Sequence, residues 1–234
     1  MHFSKKLEKK FTMFSLLRSR VLCAVPMEAP AFTRLNGAEF VGRVGTNTDP
    51  RKLAPVITSN VINGNKAITI SCISRNAASK AMHAVAIANT KNPDASLVCY
   101  CRPMISDSKE EADLELAKRG LTCFKLAMIP DVRPKRSVDS VRFTHRMKVA
   151  ASVDHNELAR NIHTSYMQGK PLILECMGDR AMSVVTHAIA LFNQRVQSHD
   201  MVSYTQIITG RSPEGTELAK MEFQLFERPK NVVY

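Results

Sequence analysis

The apolar and polar residues of the chain follow two periodicities, which divide it into two runs of predicted elements. Short apolar stretches predict strands, and stretches with an apolar residue every three or four positions predict helices. In the first run the predicted strands are residues 40–44, 66–73, 97–101 and 121–128, with helices at 49–64 and 76–90. In the second run the predicted strands are residues 147–150, 170–176, 202–208 and 220–226, with helices at 154–169 and 180–193. Each run has the order β-α-β-α-β-β.

The first helix of each run carries boundary residues in its sequence. Asp49 followed by a proline combines an N-cap carboxylate with a proline at the first helical position, and Gly64 is placed to end the helix. Asp154 and Gly169 predict the same start and stop in the second run. Pro55 lies inside the first of these helices, and we expect it to weaken the first turns because it lacks an N–H.

The second helix of each run is alanine-rich, and the two copies match at one constant offset. The matched pairs are Ala77 and Ala181, Ser79 and Ser183, His83 and His187, Ala84 and Ala188, Ala86 and Ala190, and Asn89 and Asn193. Small residues on one face predict close packing against a neighbouring layer. A helix of this kind cannot bury its apolar face alone, so its repetition indicates that a whole folding unit was duplicated.

Matches outside the repeated helix support the same interpretation. In the first helix of each run the pairs are Asp49 and Asp154, Leu53 and Leu158, Ala54 and Ala159, Ile57 and Ile162, and Gly64 and Gly169. In the strands they are Lys66 and Lys170, Cys72 and Cys176, Phe124 and Phe223, Leu126 and Leu225, and Pro130 and Pro229. Caps, core positions and stops recur in one order, and we therefore predict a tandem duplication.

Composition and charge narrow the class of partner. With 33 Lys and Arg against 21 Asp and Glu, the net charge is +12 and the pI about 9.6. Such a balance favours a polyanionic partner, with nucleic acid first and an anionic membrane surface second. The chain has no Trp, so charge rather than base stacking is expected to dominate. No apolar run reaches the roughly 18 residues of a membrane-spanning helix, and we predict no membrane association.

The charge pattern also suggests the domain boundaries. Residues 1–37 are basic and contain a short amphipathic stretch, which is typical of a mitochondrial transit peptide; a basic arm lying on nucleic acid or on a partner is the alternative. Residues 38–132 form the first predicted unit, 133–140 a basic, proline-marked linker, and 141–234 the second unit.

The six cysteines show no disulfide framework. Cys72 and Cys176 are predicted core residues, which fits a reducing compartment such as the mitochondrial matrix.

A βαβαββ unit with an alanine-rich second helix resembles the Alba superfamily of basic nucleic-acid-binding proteins. Residues 80–88, Lys-Ala-Met-His-Ala-Val-Ala-Ile-Ala, are similar to the second helix of its bacterial branch, the stage V sporulation protein S family. The closing strands likewise end in an apolar alternation before Pro130 and Pro229. The resemblance covers about 38 to 132 and 138 to 230. It implies a two-layer α/β fold in which two tandem units form a covalent pseudo-dimer.

The resemblance further implies that basic loops and an extended β-hairpin grip nucleic acid. The first hairpin connection departs from this pattern, because residues 106–113 are acidic. Basic residues beside helix starts and along the linker are therefore the candidate binding residues, since free N–H groups at a helix start suit phosphate oxygens. They are Arg43, Arg51, Lys52, Arg75, Lys80, Arg133, Lys135, Arg136, Arg142, Arg146, Lys148 and Arg180. Each one taken singly is also compatible with an ordinary solvated surface charge.

Catalytic and metal-binding motifs were weighed against structural interpretations. His83 and His187 lack a second ligand at helical spacing, so we predict structural histidines. Cys99 and Cys101 place both sulfurs on one face of a strand, and Cys123 falls on a strand predicted to neighbour it, but a fourth zinc ligand is not apparent, and a buried reduced face is preferred. The sequence contains no glycine-rich phosphate loop, nucleophile elbow or zinc-protease motif. We predict no cofactor, metal, small-molecule substrate or enzymatic activity.

The net positive charge, the basic residues 1–37 and the resemblance to the Alba superfamily together lead to one main functional hypothesis. It is a non-catalytic RNA-binding structural protein of a mitochondrial ribonucleoprotein, with the mitochondrial ribosome favoured and with ribosomal RNA and neighbouring ribonucleoprotein proteins as partners. One alternative is a protein-interaction scaffold or assembly factor with little nucleic-acid contact, which the acidic first hairpin favours. Another is a DNA-binding protein of an organellar nucleoid.

Overall fold

A computed structural model describes residues 39–93, 95–103, 123–131, 145–196, 199–211 and 214–229. These residues form a mixed α/β fold with one eight-stranded sheet and four α-helices. The predicted order of elements within each half is observed.

The helices and strands have the following bounds. The first half contains β1 (Glu39–Val44), α1 (Pro50–Ile57) continuing as a π-helical segment (Thr58–Asn63), β2 (Ile68–Ile73), α2 (Arg75–Lys91), β3 (Ser96–Pro103) and β4 (Cys123–Asp131). The second half contains β5 (His145–Val149), α3 (His155–Met167), β6 (Leu172–Cys176), α4 (Gly178–Arg195), β7 (His199–Arg211) and β8 (Glu217–Pro229).

The predicted boundary residues of α1 and α3 are confirmed. The Asp49 carboxylate accepts a hydrogen bond from the Arg51 N–H at 2.9 Å, and that of Asp154 accepts from two N–H groups of α3. Gly64 and Gly169 follow the two helical segments. Pro55 does not end α1, which continues to Ile57 before the helix widens into the π-helical segment.

The strands of the two halves are arranged in the same way. The order across the sheet is β1-β2-β4-β3-β7-β8-β6-β5, so the halves meet at β3 and β7, and β1 and β5 are the two edge strands. β1–β2 and β5–β6 are parallel and the other pairs are antiparallel. At the junction Cys99 pairs with Ser203, positions that have the same offset as His83 and His187. The halves are therefore related by a pseudo-twofold axis near this pair.

Strand register corrects one part of the predicted repeat alignment. In the first half Ile70 pairs with Leu126, whereas its counterpart in the second half, Leu174, pairs with Phe223. Leu126 thus corresponds to Phe223, not to Leu225, and the predicted alignment of β4 with β8 is wrong by two residues. Because side chains alternate faces with a period of two, a two-residue error leaves the apolar pattern intact and is invisible in the sequence.

The larger of two hydrophobic clusters among the described residues lies between the helices and the sheet and runs through both halves. Its largest buried side chains include Phe124, Phe192 and Phe223. The small residues of α2 and α4 let these two helices pack together, and the Ser79 hydroxyl donates to the Asp179 carbonyl at 3.2 Å. As the sequence predicts, Cys72 and Cys176 are buried within this core.

Two buried asparagines connect the halves reciprocally. The Asn89 side chain of α2 donates to the carbonyls of Leu97 in its own half and Thr205 in the other, at 3.1 and 2.9 Å. The Asn193 side chain of α4 donates to the carbonyls of Met201 and Cys101, both at 2.9 Å. Each asparagine also accepts a backbone N–H from its own half. The repeated Asn thus holds each helix to the sheet across the junction.

Candidate nucleic-acid interface

All four helices begin where a parallel strand ends. β1 and β2 run in the same direction and lead into α1 and α2, and β5 and β6 lead into α3 and α4. The two helix starts of each half therefore lie at one end of the sheet. Helix starts present N–H groups without intrahelical partners and a positive dipole end, which together attract anions.

Packing of α2 against α4 brings helix starts from opposite halves together. Lys80 of α2 forms an ion pair with Asp179 in the first turn of α4 at 3.2 Å. The charges of Asp179, Lys80 and Arg51 all act on the imidazole of His83. The start of α4 in the second half therefore approaches the start of α1 in the first.

The matching location on the other side of the axis is more basic. Arg75, the first residue of α2, acts electrostatically on His155 at the start of α3 and on His187 of α4. The two imidazole rings stack with centroids 4.0 Å apart and planes inclined by 22°, and Phe124 of β4 meets His187 edge-on at 5.5 Å. We call Arg75, His155 and His187 the Arg75 cluster and Arg51, Lys80, His83 and Asp179 the Asp179 cluster.

Burial shifts the pKa values of these histidines. Burial, together with the positive charges of Arg75 and His155, lowers the pKa of His187 to about 4. Burial and then Arg75 also lower the pKa of His155, against the opposing charge of Asp154. Burial lowers the pKa of His83, and Asp179 opposes this shift. At neutral pH the charge of both clusters therefore comes mainly from Arg and Lys.

The predicted residues at helix starts are accessible to a partner. Arg51, Lys52, Arg75 and Arg180 are exposed and form no ion pair with another described residue. Lys80 is less available, because its ammonium already pairs with Asp179. The structure thus brings most of this group together at the starts of α1, α2 and α4.

The predicted residues on strands lie elsewhere. Arg43 and Lys148 are exposed on β1 and β5, at opposite edges of the sheet. Arg146 is engaged within the protein, since its guanidinium donates to Glu175 at 2.6 Å and to Glu222 at 3.0 Å on the sheet face opposite the helices. These two carboxylates offset its charge. The remaining predicted residues, Arg133, Lys135, Arg136 and Arg142, lie outside the described residues, as do the acidic residues 106–113.

Two members of this region were not predicted from the sequence. His155 follows the Asp154 cap, and the Arg195 guanidinium at the end of α4 donates to the side-chain Oδ1 of Asn156 at 2.8 Å. Arg195 also adds to the positive potential at His155. Neither has a periodicity or motif that would single it out, because His155 approaches Arg75 only when the two halves pack, and Arg195 approaches His155 only when α4 packs against α3.

The hairpin of the second half is extended, but its described outer residues are not basic. β7 and β8 pair as far as Arg211 and Glu217, well beyond the segment of β8 that pairs with β6, so the hairpin is extended. Its described outer residues include Arg211 but also Glu214 and Glu217, and all three are exposed. These three side chains carry a net charge of −1, so the helix starts are the more basic surface.

The described residues contain no group of three His, Cys, Asp or Glu placed to hold a metal ion, and none of their helices is long and apolar enough to cross a membrane. Burial raises the pKa of Cys176 to about 12, which disfavours its nucleophilic thiolate. The geometry of the helix starts instead suits electrostatic binding of anions.

No protein-family model matches the sequence, and no curated protein matches it either.

Proposed function

We propose that the protein is a tandem pair of Alba-like units that binds RNA without catalysis. The observation that carries this proposal is that exposed basic residues at the starts of α1, α2 and α4 lie along the junction where α2 packs against α4, with Arg180 contributed by the second half. Phosphate contacts supply most of the sequence-independent affinity for nucleic acid, and helix starts flanked by Arg and Lys are suited to them. The buried asparagines hold the two halves in one arrangement, so the surface is preformed.

The cellular setting we favour is a mitochondrial ribonucleoprotein, the mitochondrial ribosome in particular. The basic residues 1–37 support import into mitochondria, and the net charge of +12 supports a polyanionic partner. Ribosomal RNA and adjacent ribosomal proteins would then surround the chain. Crosslinking followed by recovery from purified organelles tests this setting, with co-purified ribosomal RNA and ribosomal proteins as the expected result.

Binding is tested by neutralising the helix starts. The test variant combines Arg51→Gln, Lys52→Gln and Arg75→Gln. The control combines Lys66→Gln, Lys91→Gln and Lys170→Gln, which removes the same charge from exposed residues before β2 and β6 and at the end of α2. Affinity for a labelled mixed-sequence RNA of about 30 nucleotides is measured over a range of salt concentrations.

We expect the test variant to lose about two units of the slope of log affinity against log salt, because three phosphate contacts contribute about 0.7 each on single-stranded RNA. The control should lose much less. Equal losses in both variants would show that only net charge matters and would contradict an interface at the helix starts. No RNA binding at low salt would favour the protein-scaffold alternative, and a preference for duplex DNA over RNA would favour the nucleoid alternative.

A further inference from the structure

The two clusters at the junction occupy matching positions but differ in charge. The offset that matches His83 with His187 also matches Arg75 with Asp179. In the Asp179 cluster a carboxylate of the protein lies among the basic groups and pairs with Lys80 at 3.2 Å. In the Arg75 cluster the same position carries a cation. The Asp179 cluster thus contains a carboxylate of the protein at this position, whereas the Arg75 cluster has an arginine there.

Two arginines and one carboxylate act on the histidines of the Arg75 cluster. Arg75 from α2 acts on both rings, and Arg195 from α4 acts on His155. The carboxylate that acts on His155 is Asp154, and its oxygen already accepts the N–H groups of Asn156 and Glu157 at the start of α3. The residue of β4 packed against His187 is Phe124, which carries no charge. An anion from outside the protein would therefore be attracted by Arg75 and Arg195. It would compete little with Asp154, whose oxygen already accepts two N–H groups.

His187 supplies a second and independent indication of a ligand. The residue is only 7% exposed, yet its Nδ1 has no hydrogen-bond partner. Buried polar atoms are nearly always paired, so an orphan at a junction of basic groups calls for an explanation. If the ring gained a proton, its positive charge would need an anion nearby, and a phosphate group beside Arg75 and His155 would provide one.

We infer that Arg75, His155 and His187 form a subsite for a phosphate group of the RNA backbone, and that binding there is accompanied by proton uptake on the histidine pair. This inference rests on the RNA-binding function proposed above and adds to it a location and a pH dependence. A phosphate held beside the rings stabilises their charged forms and raises their pKa values. By linkage, protonation then strengthens phosphate binding to the same extent.

The direct test follows histidine ring signals by NMR in the full chain. Inorganic phosphate is the probe, with chloride at equal ionic strength as the control. We expect phosphate to raise the pKa of His155 and His187 by about one unit, a typical response to a nearby opposite charge. His83 is the internal control, since Asp179 already provides its anion, and its pKa should stay within about 0.2 unit, well below one nearby-charge shift. Unchanged His155 and His187 signals would overturn the inference.

The second test measures RNA affinity as a function of pH. A pKa that phosphate raises by about one unit within the range from pH 7.5 to pH 5.5 increases affinity about threefold to tenfold. The same rise in the pKa of His187, from about 4, adds less than about twofold, so we expect His155 to supply most of the change. Arg75→Gln should abolish most of this increase, whereas Arg51→Gln should lower affinity at both pH values and preserve their ratio. Both residues are exposed, so neither change threatens the fold. An unchanged pH ratio in Arg75→Gln would contradict the subsite.

The two proposals can fail separately. Salt-dependent RNA binding with phosphate-insensitive histidines would remove the subsite and leave the RNA-binding function. Phosphate-dependent pKa shifts of His155 and His187 without any RNA binding would remove the RNA-binding function and leave a phosphate subsite. The phosphate bound there would then belong to another ligand. Shifts that occur with RNA but not with inorganic phosphate would place the histidines near the RNA without a phosphate site and would overturn the inference.

Discussion

The reciprocal asparagines allow a quantitative prediction about the junction between the halves. Asn193→Ala removes two hydrogen bonds to the carbonyls of Cys101 and Met201 and a third from the Met201 N–H, and all of these groups are buried. A net hydrogen bond contributes about 0.5–1.5 kcal/mol, and a buried group left without its partner costs about 1–3 kcal/mol. With partial compensation by water entering the space, we expect a loss of about 3–5 kcal/mol in the free energy of unfolding.

This loss is large compared with the roughly 5–15 kcal/mol that holds a typical protein folded. It corresponds to a melting temperature lower by about 6–20 °C for a chain of this size. Urea unfolding followed by far-ultraviolet circular dichroism measures the free energy, and calorimetry measures the melting temperature. Asn161→Ala is the matched control, because Asn161 is exposed on α3, and it should change stability by less than about 0.5 kcal/mol.

Because the pseudo-twofold axis relates Asn89 to Asn193, the two residues should contribute equally to the free energy of unfolding. Asn89 makes the equivalent three bonds, so Asn89→Ala should cost about as much as Asn193→Ala. Asn89→Asp should cost more than Asn89→Ala at neutral pH, because a carboxylate would face two carbonyl oxygens in a buried site. A loss below about 1 kcal/mol for Asn193→Ala, or an aspartate more stable than the alanine, would refute the role assigned to these bonds.

Two further predictions concern the sheet face opposite the helices and the start of α2. Arg146→Met should destabilise the protein by about 2 kcal/mol, because buried Glu222 loses a cation, though Arg146 is itself partly exposed. Burial alone would raise the pKa of Glu175, but hydrogen bonds from Lys220 and Arg146 lower it. The resulting stability is present above the ordinary pKa of 4.5 and is lost as pH falls through the folded value. Urea titrations from pH 7 to pH 3 should therefore show the deficit of the variant shrinking in acid; a constant deficit would contradict the ion pairs. Ser74→Gly should stabilise the protein by about 1 kcal/mol, because Ser74 has φ of 99° where the repeat has Gly178, and a glycine cap costs only a few tenths; a lower melting temperature would contradict this.

Much of the local structure follows from the residues themselves. Asp49 and Asp154 cap helices because their carboxylates reach nearby N–H groups, and this interaction depends only on neighbours in sequence. The alanine-rich face of α2 and α4 and the burial of Cys72 and Cys176 follow from short periodic patterns in the same way. The repeated order of elements was predictable for the same reason.

Tertiary structure decided the rest. The register of β4 and β8 depends on which residues of β2 and β6 they pair with, and a two-residue shift conserves every apolar position. The Arg75 cluster depends on Arg75 lying near His155 and His187 of the other half, and Arg195 acts on His155 from another helix of the same half, so no local pattern marks His155 or Arg195. Arg146 looked available for RNA as one cation in a basic stretch, but folding placed two carboxylates against it. Local chemistry selects helices, strands and caps, whereas the pairing of distant charges is set only when the two halves pack together.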